Sequence, residues 1–268
     1  MAGASITLVA GYPRSGTTFT AGCCARAEAR WHQDHGPRGA RGAPPARFDF
    51  NLDDALDREA FDRSVARLDR LLVRTHSPPG RFRKAFPDIW ARVGRILYVQ
   101  RHPFEVALSV CRFAIATQGM VPGIGRAETS FAAAAERGDV RAFFRQFCEH
   151  RGAPNFLPAL GSWSAHLAEW HAAMAEVAVP CTVLSYDRMV REPAWRLLMA
   201  ATALGLPWRE ADLRQAAAQM APERVRAAIG AYFVGESPSR LRYPDLLGEA
   251  EIRLGFETFG TEMLRYGV

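Results

Sequence analysis

Four short apolar runs recur along the chain, at residues 6–10, 71–73, 96–99 and 181–184, and each reads as a buried strand. Between them the apolar positions fall at helical spacing. The pattern predicts helices over 17–30, 53–68, 82–93, from Pro103 onward, and over 161–177, 193–204, 209–220, 222–229 and 249–264. Pro103 is a favoured first-turn residue, and Gly205 closes the helix that begins at Pro193. Strands that alternate with helices belong to a mostly parallel sheet with both faces covered. The predicted fold class is therefore α/β: a single three-layer domain with a mostly parallel central sheet flanked by helices. No internal repeat interrupts it, and 268 residues suit one such domain with helical additions.

Three stretches break the pattern. Residues 36–47 are rich in Gly, Pro and Arg and include Pro44-Pro45, so neither a regular helix nor a central strand fits there. Residues 118–126 carry Gly119, Pro122, Gly123 and Gly125, and residues 232–245 carry Arg240 and Arg242 among Gly, Pro and Ser. All three read as mobile loops. The second follows the helix of the third strand, a place suited to a lid over a substrate pocket. The first is either a surface loop near a site or a plain connector. Phe143, Phe144, Phe147 and Phe156 add aromatic surface to the middle of the chain, most of it core.

Composition narrows the class without deciding the chemistry. Hydrophobic residues make up 49% and charged residues 23%, as in ordinary globular proteins. The formal charge of +6 fits an anionic ligand or a basic patch, and it equally fits a composition rich in Arg and Ala. No apolar run is long enough to span a bilayer. The first apolar run has no cationic segment before it and leads directly into a glycine loop, so it reads as a core strand and not a signal peptide. The five cysteines, at 23, 24, 111, 148 and 181, show no C-x-x-C spacing. Neither a zinc site nor a disulfide framework is indicated, which points to a reducing, cytoplasmic location.

The chemistry starts where the first strand ends, at Gly11-Tyr12-Pro13-Arg14-Ser15-Gly16-Thr17-Thr18-Phe19. Two glycines bracket a tight turn, and Thr17 and Thr18 open a helix. Strand, loop and helix start aim backbone N–H groups and the positive helix end at one place, which suits phosphate or sulfate. An ordinary strand-to-helix turn has the same outline. Gly11 and Gly16 have the spacing of the nucleoside-triphosphate loop G-x-x-x-x-G-K-S/T, but Thr17 stands where that loop has Lys, and the cation sits inside the turn at Arg14.

In open α/β sheets, ligands bind beyond the carboxyl ends of the strands. The second run ends in Arg74-Thr75-His76-Ser77-Pro78-Pro79, where the prolines force the exit and leave Arg74 and His76 at the ligand end. A lone histidine there is as readily structural as functional. The third run ends in Gln100-Arg101-His102-Pro103, and Ser109 lies two turns into the next helix, on the face of Val106 and Phe113. Arg101 and Ser109 are a pair able to bracket a second anionic group, although an Arg at a strand exit is common. His166 and His171 share a helix but point about 140° apart, so H-E-x-x-H geometry is absent and no metal site is expected.

Several ordered motifs resemble those of sulfotransferases, which use 3′-phosphoadenosine 5′-phosphosulfate (PAPS). Tyr12 to Phe19 is similar to their Y-P-K/R-S-G-T-T-W loop, and Tyr98-Val99-Gln100-Arg101-His102-Pro103 through Ser109 resembles their 3′-phosphate motif. Arg74-Thr75-His76-Ser77-Pro78 is similar to the K-T-H-x-P segment of the cytosolic, small-molecule branch; Gly161-Ser162-Trp163 and Ser185-Tyr186-Asp187 resemble G-S-W and Y-E-D stretches in the same order. The resemblance runs from about residue 5 to 205 and implies one sulfotransferase-like domain over 1–268. It implies that Ser15, Gly16, Thr17 and Thr18 hold the 5′-phosphate and that Arg14 binds the bridging oxygen and sulfonate. Phe19 replaces a Trp that stacks on adenine, and Tyr186 approaches the same ring. Arg101 and Ser109 hold the 3′-phosphate. His76 is the catalytic base and Arg74 stands for the Lys before it.

Some departures accompany the resemblance. The family's C-terminal R-K-G-x-x-G-D-W segment has no clean counterpart: Phe233-Val234-Gly235-Glu236 lacks the basic pair, and Arg240 and Arg242 do not align. The Thr and Phe of a second adenine-contacting segment are not evident near 215–221. The dimerisation motif is not recognisable, which leaves the oligomeric state open. His102 stands where Asn or Asp is usual.

The chemistry these residues suit is sulfonate transfer by in-line attack. Negative charge builds on the bridging oxygen as its bond to sulfur breaks, and a cation at Arg14 with aimed loop amides favours that transition state. A histidine at 76 suits removal of the acceptor's proton. The donor's 3′-phosphate gives Arg101 its purpose, and the product is adenosine 3′,5′-bisphosphate (PAP). No metal is called for. The expected acceptor is a small hydrophobic or aromatic alcohol, or an amine, with Phe113 and Arg74 on its side; no nucleic acid or membrane partner is expected. The rival enzyme is a P-loop small-molecule or nucleotide kinase, which needs the missing Lys after Gly16. The non-enzymatic rival is a basic nucleic-acid-binding protein, and here the arginines are scattered among acids instead of forming a stripe.

Overall fold

The computed structural model describes residues 4–35, 49–53, 56–124, 130–221 and 242–268. The loop predicted at 36–47, the helix predicted at 222–229, the Phe233 to Glu236 stretch and Arg240 lie outside them, as do residues 125 and 126 of the second loop. The chain divides into two compact units built from interleaved segments. The first comprises Met1–Gly11, Gly16–Gln100 and Glu169–Met220; the second comprises Tyr12–Ser15, Arg101–Ala168 and Ala221–Val268.

The first unit holds a five-stranded, all-parallel sheet in the order β2-β3-β1-β4-β5. Its strands are β1 (Ser5–Ala10), β2 (Asp49–Asn51), β3 (Arg70–Thr75), β4 (Val93–Gln100) and β5 (Cys181–Ser185). β1 is central: Leu8 lies beside Val73 on one side and Ile96 on the other, and all three are fully buried. A strand covered on both faces needs no polar alternation, which is why the inner strands read as continuous apolar runs. The four predicted strands are present. β2 was not expected, because it is three residues long with only Phe50 buried, at a sheet edge where sequence signal is weak.

Helices α1 (Thr17–His35), α2 (Arg58–Arg67), α3 (Pro79–Ala85) and α4 (Pro87–Trp90) belong to this unit. The helix expected from 53 starts at Arg58, because Asp57 accepts a hydrogen bond from the Ala60 N–H at 2.9 Å and caps it there. The single helix expected over 82–93 is split into α3 and α4. Pro87 cannot continue α3 and pushes Phe86 out of helical geometry, to φ −134°. α1 packs on β1, β3 and a later helix at Glu210–Gln219. Beneath it Glu28 is buried, with Arg70 Nε at 2.9 Å on one carboxylate oxygen and Trp208 Nε1 at 2.9 Å on the other.

The second unit contains α5 (Pro103–Gln118), α6 (Phe131–Glu136), α7 (Asp139–Glu149) and α8 (Leu157–Leu160). α9 (Trp163–Glu176) begins in it; α10 (Tyr186–Met189), α11 (Pro193–Ala203) and α12 (Glu210–Gln219) return to the first unit. α13 (Tyr243–Leu246) and α14 (Glu249–Tyr266) complete the second. α7 buries Val140, Phe143, Phe144 and Phe147, one helical stripe, and Phe147 meets Phe259 of α14 at 5.6 Å between ring centroids. Two loop expectations are corrected. Gln118 is the last residue of α5, which Gly119 ends at φ +65°, and Tyr243 to Asp245 form a helical turn instead of loop.

α5 starts from an unusual cap. His102 Nδ1 accepts from the Phe104 N–H at 3.3 Å, as an Asn or Asp oxygen would, and the ring stacks flat on Tyr243 with centroids 5.2 Å apart. No helix among the described residues is long and apolar enough to cross a membrane.

Glu28→Ala leaves Arg70 and Trp208 without their acceptor in a buried place. Its expected cost is about 3–5 kcal/mol, read as a lower urea midpoint, with a smaller loss for Glu28→Gln, which keeps one acceptor oxygen for one of the two donors.

Candidate functional site

In the first unit, the end of β1 is crowded. A Cβ on Gly11 would sit 2.5 Å from the Val99 carbonyl oxygen and 2.8 Å from Thr17 Cγ2, so only glycine fits. The carbonyl oxygen of Gly11 lies 2.6 Å from His76 Nδ1. A carbonyl only accepts, so Nδ1 carries the hydrogen, and Nε2 is the ring nitrogen left to take a proton. Nε2 faces the Thr17 hydroxyl at 3.5 Å and Asp53 Oδ2 at 3.8 Å.

The backbone around His76 is tied down residue by residue. Its N–H donates to both oxygens of Asp53, at 2.8 and 3.0 Å. The Thr75 hydroxyl donates to Asp53 Oδ1 at 3.3 Å and accepts from the Ser77 N–H at 3.0 Å. Trp170 Nε1 on α9 donates to the Ser77 carbonyl at 3.2 Å.

At the start of α1, Gly16 has φ +93°, and a Cβ there would fall 1.9 Å from Tyr186 Cδ2, so the Tyr186 ring lies directly on this glycine. Phe19 meets the same ring edge-on, with centroids 6.4 Å apart. The Thr18 hydroxyl accepts from Arg74 Nη1. Thr17, Thr18, Phe19, Arg74, His76 and Tyr186, singled out separately in the sequence, are thus in pairwise contact around Gly11 and Gly16.

The second unit holds the remaining expected residues. Arg14 sits at φ +70°, a left-handed conformation that costs a residue with a Cβ about 1 kcal/mol or more. Three contacts hold it. Its Nε donates to Ser109 Oγ at 3.2 Å, its guanidinium lies 4.6 Å over the Phe113 ring, and its backbone carbonyl accepts from Arg101 Nη1 at 3.0 Å. Arg101 Nη2 also faces Glu105 Oε2 at 3.6 Å. Arg101 and Ser109, read as bracketing an anion, therefore converge on Arg14, one on its backbone and one on its side chain.

Tyr12 anchors the loop. Its hydroxyl accepts from the Ala153 N–H at 3.0 Å, its ring edge meets Phe156 and His166, and burial pushes its phenol up to about 12. The Ser15 N–H closes the turn onto the Tyr12 carbonyl at 3.0 Å. The Ser15 hydroxyl is buried and makes no hydrogen bond. A buried hydroxyl without a partner is costly, and a ligand oxygen in the loop would satisfy it.

Sequence reasoning passed over Asp53, Tyr12, Trp170 and Glu105. Tyr12 lay inside the glycine motif; Asp53 was placed inside an expected helix. The two histidines of α9 have separate roles: His166 is buried against Tyr12, and His171 Nε2 lies 3.3 Å from Gln100 Oε1. Among the described residues, no group of three His, Cys, Asp or Glu is arranged to hold a metal ion.

Residues 5–227 match the sulfotransferase domain family. No curated protein matches the sequence. Among solved structures, mouse sulfotransferase SULT7A1 complexed with PAP is similar over 97% of this chain and 85% of its own, with a TM-score of 0.64 and 15% identity. Retinol dehydratase in complex with androsterone and inactive cofactor PAP is similar over 96% of this chain and 80% of its own, at a TM-score of 0.59 and 15% identity. The same enzyme in a complex with retinol and PAP gives 96% and 81%, with a TM-score of 0.59 and 15% identity. At such identities the likeness carries the fold.

Gly11→Ala forces a methyl group against the Val99 backbone, which cannot rotate away. We expect a loss of about 1–3 kcal/mol in chemical denaturation. An unchanged midpoint would remove the crowding argument.

Proposed function

This chain belongs to the sulfotransferase family, and from that premise we propose which of its residues carry the reaction. The protein is a PAPS-dependent sulfotransferase: it moves the sulfonate of PAPS to an acceptor hydroxyl or amine and releases PAP. PAPS, when bound, supplies an activated sulfonate on a phosphate leaving group. The residues present fit such a group, because the glycine loop holds a buried, unpartnered Ser15 hydroxyl ahead of the first turn of α1, whose N–H groups have no helical partner.

The single observation that carries the assignment of roles is the 2.6 Å hydrogen bond from His76 Nδ1 to the Gly11 carbonyl. It fixes a base to the glycine loop and directs its lone pair to Nε2. His76 Nε2 takes the acceptor's proton as the acceptor oxygen attacks. Ser15, Gly16, Thr17 and Thr18 hold the 5′-phosphate. Arg14 stabilises charge at the bridging oxygen, and its contacts with Ser109 and Phe113 pre-set the guanidinium so that little reorganisation remains during reaction. Arg101 supplies the cation for the 3′-phosphate with Ser109 beside it. Phe19 and Tyr186 receive the adenine. Arg74, bonded to Thr18, and Phe113 border the acceptor.

The acceptor is a small hydrophobic or aromatic molecule. Its support is the apolar character of Phe113 and the hydroxyl-bearing apolar compounds, retinol and androsterone, named with a structural neighbour. Both compact units make one sulfotransferase domain, since the family match over 5–227 runs through segments of each. Five free cysteines favour a reducing, cytoplasmic setting. The test is a labelled-PAPS assay against phenols, steroids, sugars and aminoglycosides with mass detection of the added sulfonate. Tight PAP binding without product on any acceptor would argue for a binding protein instead.

His76→Ala is expected to lower turnover by about 10²–10⁴-fold while PAP affinity, measured by calorimetry, stays within a factor of a few. Near-normal turnover removes the base assignment. Arg101→Ala should weaken PAP by about tenfold or more and leave AMP binding little changed, since a charged hydrogen bond is worth about 1.5–3 kcal/mol. Equal affinity of the parent protein for PAP and ADP contradicts the 3′-phosphate role.

A further inference from the structure

The reaction as assigned leaves one group unexplained. Asp53 follows β2, the edge strand, and its carboxylate is turned toward the exit of β3. Both oxygens accept from the His76 backbone N–H, Oδ1 also accepts from the Thr75 hydroxyl, and Oδ2 stands 3.8 Å from His76 Nε2. A surface aspartate serving only as a turn residue bonds its own neighbours. This one reaches across from β2 to β3 and meets the next strand's histidine at two places, backbone and ring. The two side chains are 23% and 21% exposed, so their interaction is only partly screened by water.

We propose that Asp53 is the positioning residue for His76, setting the height of the ring through the backbone and stabilising the imidazolium through charge. The inference rests on the base role given to His76 above. When the acceptor's O–H bond breaks, its proton forms a bond to Nε2 and the oxygen's electron pair goes to sulfur, whose bond to the bridging phosphate oxygen breaks and leaves its pair on the departing PAP. The ring then carries a hydrogen on each nitrogen. Nδ1–H stays on the Gly11 carbonyl, and the new positive charge lies against the Asp53 carboxylate. An anion at that distance favours the charged imidazole and makes Nε2 a stronger base. The neutral Gly11 carbonyl keeps the hydrogen on Nδ1, and the Asp53 carboxylate favours the charged ring once Nε2 has taken the proton.

Among the described residues, the groups that the surrounding elements bring to this place are different in kind. From β3, Arg74 is directed to the Thr18 hydroxyl. From α1, the facing group is the uncharged Thr17. From α9, Trp170 binds the Ser77 carbonyl and His171 lies on Gln100. From β1 it is the Gly11 carbonyl. Asp53 is therefore the anion that β2 brings to Nε2, and Asp53→Asn removes the charge while keeping an oxygen that accepts from the His76 N–H.

The test is an NMR titration of the His76 ring in the full chain, alone and with PAP, using His76→Gln to assign its signals. In the parent protein the neutral ring should be the Nδ1–H tautomer. In Asp53→Asn the His76 pKa should fall by about one unit, because the anion that favoured the charged form is gone. With an acceptor found in the panel assay, the acidic limb of kcat should move down in pH by the same amount and kcat at its plateau should drop several-fold, with KM for PAPS unchanged. An Nε2–H tautomer in the parent overturns the proposal without any variant. So does an Asp53→Asn protein that binds PAP normally but keeps the parent pKa. His76→Ala separates the two readings. Loss of turnover there, beside an unshifted pKa in Asp53→Asn, removes Asp53 alone; retained turnover removes the base role itself.

Discussion

The end of β1 is packed so closely against β4 that the chain has no room for a side chain. Gly11 is pressed on the Val99 carbonyl and on Thr17, and the same residue's carbonyl is the acceptor for His76. One glycine therefore serves both the packing of the sheet and the placement of the His76 ring. If β1 slid against β3 by one residue, the Gly11 carbonyl would leave the His76 ring. The register that buries Leu8 beside Val73 and Ile96 is also the register that sets the Gly11 carbonyl on Nδ1 of His76. Burial in the central strand is what makes that contact rigid.

Arg14 shows the same economy in the second unit. A left-handed arginine persists only where its surroundings outweigh the strain. The Ser109 hydroxyl, the Phe113 ring and the Arg101 guanidinium all act on it, two on the side chain and one on the backbone. Tyr12, tied to Ala153, and the turn from Ser15 to the Tyr12 carbonyl hold the loop on which it rides. A guanidinium already oriented before charge develops has little entropy left to lose, which is the requirement for stabilising a transition state more than a ground state. Phe113 suits an arginine for this purpose, since a planar cation stacks on a ring face in a way that a lysine ammonium, a hydrated point charge, does not.

Much of this was legible in the sequence because it is local or periodic. The inner strands are continuous apolar runs, and the polar residues follow them at fixed offsets: Arg14 after β1, His76 after β3, Arg101 after β4. A parallel sheet gathers its strand exits at one edge, so the ends of β1 and β3 read as neighbours without knowing the packing, as Gly11 and His76 are. What was not legible depends on pairing. Asp53 lies after a three-residue edge strand with no periodicity, and its importance comes from β2 aligning with β3, Asn51 beside Arg74. The convergence of Ser109 and Arg101 on Arg14 was equally hidden, because spacing along the chain says nothing about which side chains meet the loop.

The positions that departed from the family's motif are informative in physical terms. His102 replaces an Asn or Asp, yet its Nδ1 accepts from the Phe104 N–H as a cap oxygen does, and its ring gains a flat stack on Tyr243 that a carboxylate would not make. Arg74 replaces a Lys and remains a cationic donor, here bonded to Thr18. Phe19 replaces a Trp and keeps an aromatic ring against Tyr186. In each case the residue present supplies a donor, an acceptor or a ring face of its own. Gly11 is the contrast: its requirement is the absence of atoms, which no other residue supplies.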